Sequence, residues 1–368
     1  MEILCDKTLL CGAVDGVFPA TVARSSIPVL EGILLKAEGF QLTLTGYDLE
    51  IAITTTIEAN VRVPGEIVLN AKDLKNIVHG MPTDEVCIEV NNAGIALITG
   101  GKVKYDIPAM VASDFPDLPN PGADHTFSIP AGELREMIEK TIYAVSKDDK
   151  RPAHTGELFE IEPDKLTMVA LDGYRLAVVE RPIQAAKDIR IIVPAKTMEK
   201  VRALIGDGSD EVSISANRRF VVFAARGYTV ISRLIEGEFL AWRGVIPEGN
   251  RTRVVLDARE FGGSIDRAMV VINERLKNPL RVTFGDGRAL VRCQTAKGKF
   301  EDESPAEIQG ETVEIGFNIY YLQEALRRAG AERLAFELNG PLSPVKVLPV
   351  NGDDFTYLVL PVRFKNEP

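Results

Sequence analysis

The sequence predicts an α+β protein built from three copies of one module, each with two helices and a set of strands. A segment that reads as a strand, a helix start and a short amphipathic helix recurs at nearly constant spacing along the 368 residues. Each recurrence is followed by alternating apolar and polar residues, which indicates a half-buried strand. The chain length also suits two or three domains that each bury their own core.

The helix segments of the three copies align by position. Ala195 follows Ala71 by 124 residues, and Asn318 follows Ala195 by 123. The aligned segments are residues 68–78, 192–202 and 315–326, and the strands after them are residues 85–90, 211–216 and 333–338. The strict alternation in these strands is what one buried and one solvated face would produce.

The first halves of the copies agree at the same spacing. Residues 32–35 and 42–45 match residues 156–159 and 166–169, both at an offset of 124. In the third copy residues 279–284 and 289–291 hold this place more loosely, around a Gly-Asp-Gly turn. Linkers rich in turn-forming residues close the first two copies, so the predicted modules are residues 1–122, 123–246 and 247–368.

Six helices are predicted, two in each module. Gly12, Gly16 and Pro19 disturb the first helix, and each of the two glycines in the fifth costs about 1 kcal/mol relative to alanine. The predicted ranges are residues 7–24, 71–80, 130–147, 194–206, 257–273 and 317–330.

Charge is distributed unevenly between the helices and the rest of the chain. The net charge is -10, yet the six predicted helices carry +4, which leaves -14 on the strands and loops. An acidic protein normally repels nucleic acid. Ordinary solvated helix faces would also explain a mild asymmetry. Combined with the repeat, it predicts helices gathered on one surface that faces a polyanion, so the net charge does not exclude DNA.

Cofactor and metal sites are not expected. The four cysteines are scattered without a C-x-x-C pair, and three histidines are too few for a histidine-rich metal site. The N-terminus lacks the layout of a signal peptide, and no apolar stretch approaches the length of a membrane span. We therefore expect a cytoplasmic protein.

No catalytic motif stands out, so we expect no enzyme. The segment 99–102 resembles part of a phosphate-binding loop but reads more simply as a hairpin turn. Asp172 could serve acid/base chemistry, but Asp48 occupies the matching place 124 residues earlier, which favours a structural role. A hydrolase that uses Asp172 stays an alternative, and loss of a turnover in Asp172→Asn would support it.

Three motifs, in order along the repeat, carry a resemblance to a known family. They are residues 24–30 (RSSIPVL) leading to 44–50 (LTGYDLE), then 172–177 (DGYRLA) and 357–363 (YLVLPVR). The whole chain resembles the bacterial DNA sliding clamp, the beta subunit of DNA polymerase III.

This resemblance implies the DNA clamp fold and a head-to-tail homodimer in which six modules close a ring. Twelve helices would line a hole that holds duplex DNA without regard to sequence. The ring would then act as a processivity factor in DNA replication, because a topological link permits weak, sliding contacts.

The resemblance also implies a pocket between the second and third modules that accepts a short peptide from the polymerase III catalytic subunit, other polymerases, the clamp loader and other proteins that carry the clamp-binding motif. Aliphatic residues rimmed by arginines suit such a peptide, although core packing would also explain Leu176 and Val245. Three positions depart from the family: His154 replaces an aliphatic residue, Leu240 a proline and Gly244 an arginine. The matching positions are Leu171, Gly173, Tyr174, Arg175, Leu176, Leu240, Val245, Leu342, Ser343, Leu358, Leu360, Pro361, Val362 and Arg363.

Positions for DNA and for the ring interface complete the expectation. Arg24, Arg151 and Lys196 match DNA contacts of the family, and helix charge adds Lys72, Lys75, Lys200 and Arg202. Pro152 and Ala153 replace two tyrosines near the hole. Tyr105 and Ile107 match one side of the interface, and Val270 and Val271 the other. A diverged paralogue that acts only as a protein-binding scaffold stays an alternative.

Overall fold

The computed structural model describes residues 1–122, 124–272, 279–351 and 354–364. In this part of the chain six short α-helices accompany 25 strands. The helices have at most 11 residues, and none of them could cross a membrane. They are α1 (Lys7–Val17), α2 (Ala71–Gly80), α3 (Ala131–Thr141), α4 (Ala195–Ile205), α5 (Ala258–Ala268) and α6 (Ile319–Ala329).

The strands follow the repeat. The first copy contains β1 (Glu2–Asp6), β2 (Gly32–Glu38), β3 (Gln41–Tyr47), β4 (Ile51–Glu58), β5 (Asn60–Val63), β6 (Gly65–Asn70), β7 (Glu85–Val90), β8 (Ile95–Gly100) and β9 (Val103–Pro108). The second contains β10 (His125–Pro130), β11 (Gly156–Ile161), β12 (Lys165–Leu171), β13 (Arg175–Pro182), β14 (Ile189–Pro194), β15 (Glu211–Ala216), β16 (Phe220–Ala225) and β17 (Tyr228–Arg233). The third contains β18 (Thr252–Asp257), β19 (Leu280–Gly285), β20 (Arg288–Thr295), β21 (Gly298–Gly310), β22 (Val313–Phe317), β23 (Arg333–Leu338), β24 (Val345–Pro349) and β25 (Phe355–Val359).

Three predicted helices are shorter than expected. Helix α1 ends at Val17, because Pro19 lacks a backbone donor and the chain tightens into a 3₁₀ turn. Helix α3 ends at Thr141 and also continues as a 3₁₀ turn, Ile142–Ala144. Helix α5 ends at Ala268, and the predicted end at residue 273 lies outside the described residues.

Polar side chains start four of the helices. Asp6, Asn70, Asp257 and Asn318 each accept a hydrogen bond from a backbone N–H in the first turn. Asn70 and Asn318 precede the second helices of the first and third copies. The second copy has Pro194 at the corresponding position, just before α4.

The described chain divides into two compact units. The first comprises residues 1–135 and 196–234. It contains a five-stranded antiparallel sheet in the order β5-β1-β7-β8-β9. It also contains an eight-stranded sheet in the order β10-β15-β16-β17-β4-β3-β2-β6. Because β17 pairs with β4, the last strand of the second copy extends a sheet of the first copy.

The second unit comprises residues 136–195 and the described residues from 235 onward. Its twelve strands form one sheet in the order β14-β11-β12-β13-β25-β24-β23-β18-β21-β20-β19-β22. Here β25 pairs with β13, so the last strand of the third copy extends a sheet of the second copy in the same way.

The repeat extends to the strand register. Leu34 lies opposite Thr45, Leu158 opposite Val169, and Arg281 opposite Arg292. The first members of these pairs are spaced by 124 and 123 residues. The mixed helix-and-sheet architecture with three repeated modules is therefore confirmed, and the third copy differs by carrying arginines where the first two carry mainly apolar side chains.

Candidate functional site

A tight turn between β12 and β13 begins the predicted peptide-binding surface. Asp172 Oδ1 accepts hydrogen bonds from Tyr174 N at 2.9 Å and Arg175 N at 3.1 Å. Gly173 adopts φ +91°, a conformation that favours glycine. The Asp48 carboxylate holds the matching turn of the first copy in the same way. Asp172 thus has a structural use that its repetition along the chain predicted.

Arg175 lies beneath this surface instead of at its rim. Its side chain is 8% exposed, and its Nε donates to Asp172 Oδ2 at 3.0 Å while Nη1 pairs with Glu324. The guanidinium carbon lies 5.2 Å from the ring centroid of Tyr143 and 4.8 Å from that of Tyr321. Burial raises the pKa of Tyr143, so this ring stays neutral. Arg175 is committed to the chain itself.

Three neighbouring strands bring the other predicted residues to one end of the sheet. Val359 in β25 lies opposite Arg175 on one side and opposite Val345 on the other. Beyond Val359, Leu360 N donates to the Tyr174 carbonyl at 2.9 Å. The loop with Leu342 and Ser343 precedes Val345 and therefore opens at the same end.

An apolar cluster underlies this end of the second unit. Leu171, Leu176 and Leu358 are at most 3% exposed and pack with Phe239 and Trp242. Three of the predicted pocket residues thus belong to the core, as the packing alternative for Leu176 anticipated. The predicted pocket residues that are both large and apolar and exposed to solvent are Tyr174, Leu240, Val245 and Leu342. They provide the surface that an apolar peptide could cover.

A cavity of about 510 Å³ lies beside His154 and Leu240. The His154 ring meets Phe239 edge to face, with 5.5 Å between centroids. Burial lowers the pKa of His154 below its ordinary value, and the positive charge of Arg151 lowers it further. Glu236 and Glu238 also line the cavity. Together with His154, which stands where the family has an aliphatic residue, they add polar groups to its lining.

Several residues of this surface were missed by sequence reasoning. Tyr143, Tyr321 and Glu324 enclose Arg175 from helices distant in sequence, which no local pattern could indicate. Phe239 and Trp242 follow the end of β17, and Trp242 is the chain's one tryptophan. A lone tryptophan in a linker was a usable signal, because such a large apolar residue is seldom left without packing.

The predicted DNA-contacting residues mostly lie on exposed parts of their elements. Lys72 in α2 and Lys196 in α4 are exposed, as are Arg24 and Arg151. The opposite faces of these helices are buried through Leu74 and Val78 in α2 and Met198, Val201 and Ile205 in α4. Lys200 and Arg202 are half-buried.

Lys75 is neutralised within the first unit. Its Nζ pairs with Asp15 at 2.9 Å and lies 4.8 Å from the Phe18 ring centroid. His79 shares the same carboxylate at 3.0 Å. Partial burial would raise the pKa of Asp15, but hydrogen bonds from Lys75 and His79 outweigh it and the pKa is lowered. Lys75 thus offers less charge to a polyanion than Lys72.

The predicted interface residues lie in an edge strand or next to a hairpin. Tyr105 and Ile107 belong to β9, the edge of the five-stranded sheet. Val270 is 75% exposed just after α5. The adjacent Val271 carbonyl accepts a hydrogen bond from Thr295 Oγ1 at 2.8 Å, which places it next to the β20–β21 hairpin. Within the described ranges, no group of three or more metal-binding side chains comes together.

Comparison with known proteins covers the whole chain. Three family models match in order: the DNA polymerase III beta subunit N-terminal domain at residues 1–119, the central domain at 128–240 and the C-terminal domain at 243–363. The beta sliding clamp of Synechococcus elongatus is 30% identical over 377 residues, which cover 100% of both chains.

Solved structures agree in fold. The Bacillus subtilis DNA polymerase sliding clamp has a TM-score of 0.96 at 27% identity, covering 99% of this chain and 100% of that one. A Pseudomonas aeruginosa sliding clamp bound to griselimycin has a TM-score of 0.94 at 29% identity, with the same coverage. The three modules are clamp domains, and the chain belongs to the DNA polymerase III beta subunit family, the bacterial beta sliding clamps.

Proposed function

We propose that two copies of this chain close a ring around duplex DNA and that an apolar pocket on the ring tethers the proteins that work on that DNA. The observation that carries the proposal is the way strands pair between modules. Strand β17 of the second copy pairs with β4 of the first, and β25 of the third pairs with β13 of the second. Each module thus completes a sheet of the module before it.

One strand at each end of this series lacks its equivalent partner. Among the described residues β9 pairs with β8 alone, although β17 and β25 at the same place each have a second neighbour. Within the described ranges, the first half of β21, residues 298–305, pairs only with β20, although β4 and β13 at its place have a second neighbour. A second copy can supply both missing partners, and this head-to-tail contact closes after two chains.

The internal seams predict the register of this contact. Val230 in β17 lies opposite Ile53, and Tyr357 in β25 lies opposite Ala177. In the first two copies, Ile53 and Ala177 lie opposite Gly46 and Ala170 in the neighbouring strand. In the third copy the equivalent residue is Phe300, which lies opposite Cys293. On the other side of the seam, Val230 and Tyr357 lie opposite Phe223 and Val347 within their own sheets. The equivalent residue of the first copy is Tyr105, which lies opposite Ile98. Tyr105 should therefore face the partner subunit's Phe300.

Charge independently supports the register. With Tyr105 opposite the partner's Phe300, antiparallel pairing sets Lys104 opposite the partner's Glu301 and Asp106 opposite the partner's Lys299. Both pairs join opposite charges, which stabilise adjacent strands by about 0.2–1 kcal/mol each. All four charged side chains are on exposed positions of their strands. A shift by one residue would break both pairs and leave at most one pair of opposite charges between the two strands, Lys104 with the partner's Asp302.

The ring explains how weak DNA contacts suffice. Exposed Arg24, Lys72 and Lys196 can neutralise phosphates without reading sequence. A closed ring needs no tight contact, because DNA leaves only when a seam opens or an end passes through the hole. We include Arg151, Lys200 and Arg202 as secondary contacts, and Lys75 as a weaker one because it pairs with Asp15.

The test is retention on DNA with and without ends. After loading by a clamp loader, the protein should stay on circular DNA through gel filtration and dissociate once a restriction enzyme cuts the circle. Blocking both ends of the linear DNA with a bound protein should restore retention. Equal retention on circular and open linear DNA would contradict a topological link.

The tethering site is the surface around Tyr174, Leu240, Val245, Leu342 and Leu360. Its exposed apolar residues lie beside an apolar cluster and a cavity, which suits a short peptide segment. Gly173, Ser343, Pro361, Val362 and Arg363 complete the proposed surface. The polymerase III catalytic subunit, the clamp loader and other proteins with a clamp-binding motif are the proposed partners, and the chain itself acts without catalysis.

A related clamp supplies a probe for this site. The Pseudomonas aeruginosa clamp binds griselimycin, and we infer that this chain binds the compound at the same surface. Trp242 packs in the apolar cluster below and is the chain's one tryptophan, so its fluorescence should report binding. Leu360→Asp should weaken binding. The control is Phe40→Ala, at an exposed residue that is not part of the proposed surface, and its fluorescence should respond as in the wild type.

The module boundaries 1–122, 123–246 and 247–368 are proposed as the units of the ring. The matched family models end or begin within a few residues of them, at 119, 128, 240 and 243. The scaffold alternative is not favoured, because the relatives that match along the full length are named beta sliding clamps. Failure of a clamp loader to place the protein on DNA would revive it.

A further inference from the structure

The segments that leave the three modules make the same backbone contact. After β9, Met110 N donates to the Val68 carbonyl at 2.8 Å, and after β17, Ile235 N donates to the Ile192 carbonyl at 2.9 Å. After β25, Val362 N donates to the Gly316 carbonyl at 2.8 Å. The three acceptors are spaced by 124 residues. The C-terminal segment therefore makes the third copy of a repeated backbone hydrogen bond.

In the first two modules, the segment that makes this hydrogen bond goes on to pack a phenylalanine in an apolar cluster. Phe115 packs in a cluster with Val68, and Leu34 packs against it. Phe239 packs with Leu158 and Ile192. Leu34 and Leu158 lie opposite Val68 and Ile192 across the sheet, so each exit segment covers equivalent positions.

The third module replaces these apolar positions. Arg281 lies opposite Gly316, where the other modules have leucine opposite valine or isoleucine. The Phe364 ring covers the Arg281 guanidinium at 4.1 Å from carbon to centroid. Glu314 Oε1 pairs with Arg281 at 3.2 Å, which holds the guanidinium beneath the ring. A side chain at Gly316 would press on the Val362 carbonyl and lie 2.9 Å from Phe364 Cε1.

We infer that the stacking of Phe364 on Arg281 is a latch that positions residues 360–362 for partner binding. The segment is held at its start by the Tyr174 carbonyl, at its middle by Gly316 and at its end by this stack. Arg281 and Phe364 are positioning residues, since they act through the backbone of the segment. The inference rests on the proposed tethering function of the surface around Tyr174 and Leu360.

The size of the effect follows from the stacking energy. A cation–π contact at a partly exposed site contributes about 0.5–1 kcal/mol, which corresponds to about a two- to fivefold change in an equilibrium constant. Opening the latch lowers the fraction of molecules whose segment is in place. The apparent affinity for a ligand falls by that fraction.

Two measurements test the latch, one with a ligand and one without. Calorimetric titration with griselimycin compares the wild type with Phe364→Ala, Arg281→Ala and the double variant. Amide hydrogen exchange of Val362 reports the docking of the segment directly. Phe364→Tyr keeps the stack and should restore both values, and Phe40→Ala, at a phenylalanine that is 82% exposed, is the matched control.

The latch predicts weaker binding for each single variant, by at most about fivefold, with no further loss in the double variant and with about two- to fivefold faster exchange at Val362. Additive losses would show that the two side chains act separately and would overturn the latch. Unchanged exchange in Phe364→Ala would overturn it as well. If the wild type does not bind griselimycin, the proposed tethering surface fails for this ligand, and the exchange measurement decides the latch alone.

Discussion

Arg175 supports the candidate binding surface from below. Its side chain joins the turn at Asp172 to Glu324 in α6, and two tyrosine rings close around it. A guanidinium suits this place because its planar group can stack on rings and pair with two carboxylates at once. The consequence is that a mutation here acts first on stability and only then on binding.

Arg175→Ala should lower the free energy of unfolding of the protein by about 2–3 kcal/mol. The loss leaves the Asp172 carboxylate, itself 13% exposed, without its buried partner. The midpoint of urea denaturation measures the effect. Arg190→Ala is the control, because the Arg190 side chain is 51% exposed in its pair with Glu160 and should cost below about 1 kcal/mol. Equal shifts for the two variants would refute the role given to Arg175.

His154 makes stability depend on pH in one direction. Its folded-state pKa is lowered from 6.5 by burial and by Arg151, so the unfolded chain binds a proton more readily. Stability is therefore full above the unfolded pKa and declines as pH falls below it.

His154→Leu should flatten the pH dependence of the unfolding midpoint below about pH 6.5. Near pH 8 the ring is neutral in both states, so the slope of wild type and variant should coincide there. Denaturant titrations from pH 5 to pH 8 measure both slopes. A steeper decline in the leucine variant would show that His154 is protonated favourably in the fold.

Among the elements, helix α1 packs closely against β17 through Gly16, a residue that the sequence alone marks as unfavourable for a helix. A Cβ at Gly16 would lie 2.7 Å from the Tyr228 hydroxyl oxygen, and that hydroxyl donates to the Gly12 carbonyl at 2.9 Å. The tyrosine of β17 therefore packs closely against the helix, and the glycine permits its approach. No heavy atom lies within 4 Å of a Cβ at Gly12.

These two glycines should respond oppositely to alanine. Gly16→Ala should destabilise the protein by about 1–3 kcal/mol, because the ring must move or the helix must shift. Gly12→Ala should stabilise it by up to about 1 kcal/mol through helix propensity. Thermal denaturation of both variants gives the comparison. Adding Tyr228→Ala should remove most of the penalty at Gly16, and a penalty that persists would point to a different cause.

At the scale of the whole molecule, the proposed ring depends on charge pairs across two identical seams. Lys104→Glu should weaken the dimer, because it sets two carboxylates opposite each other at each seam, at a cost of about 1 kcal/mol per seam. Combining it with Glu301→Lys should restore the dimer. Sedimentation equilibrium measures the dissociation constant of each variant.

Lys187→Glu is the matched control for this test. Lys187 is exposed in the loop between β13 and β14, outside both β9 and the first half of β21. It carries the same charge reversal without changing either seam strand. A double variant that dimerises no better than Lys104→Glu alone would contradict the register, even if the protein remains a dimer.

The amino-acid sequence by itself determined the modular plan of this protein. Its repeats of 124 and 123 residues, the alternating strands and the helix starts are local or periodic signals, and they survive in the strand register. Helix ends were predicted less well, because the 3₁₀ turns after α1 and α3 keep an apolar pattern that resembles a longer helix.

The tertiary structure alone decided what the functional side chains do. Arg175 is buried and pairs with Glu324, and Lys75 pairs with Asp15. Phe364 stacks on Arg281. In each case the partner is far away along the chain. Such partners depend on which strands and helices pack together, and a periodic pattern specifies only which face of an element is buried. Charge and aromatic pairing between distant residues then follow from packing, which is why only the folded chain reveals them.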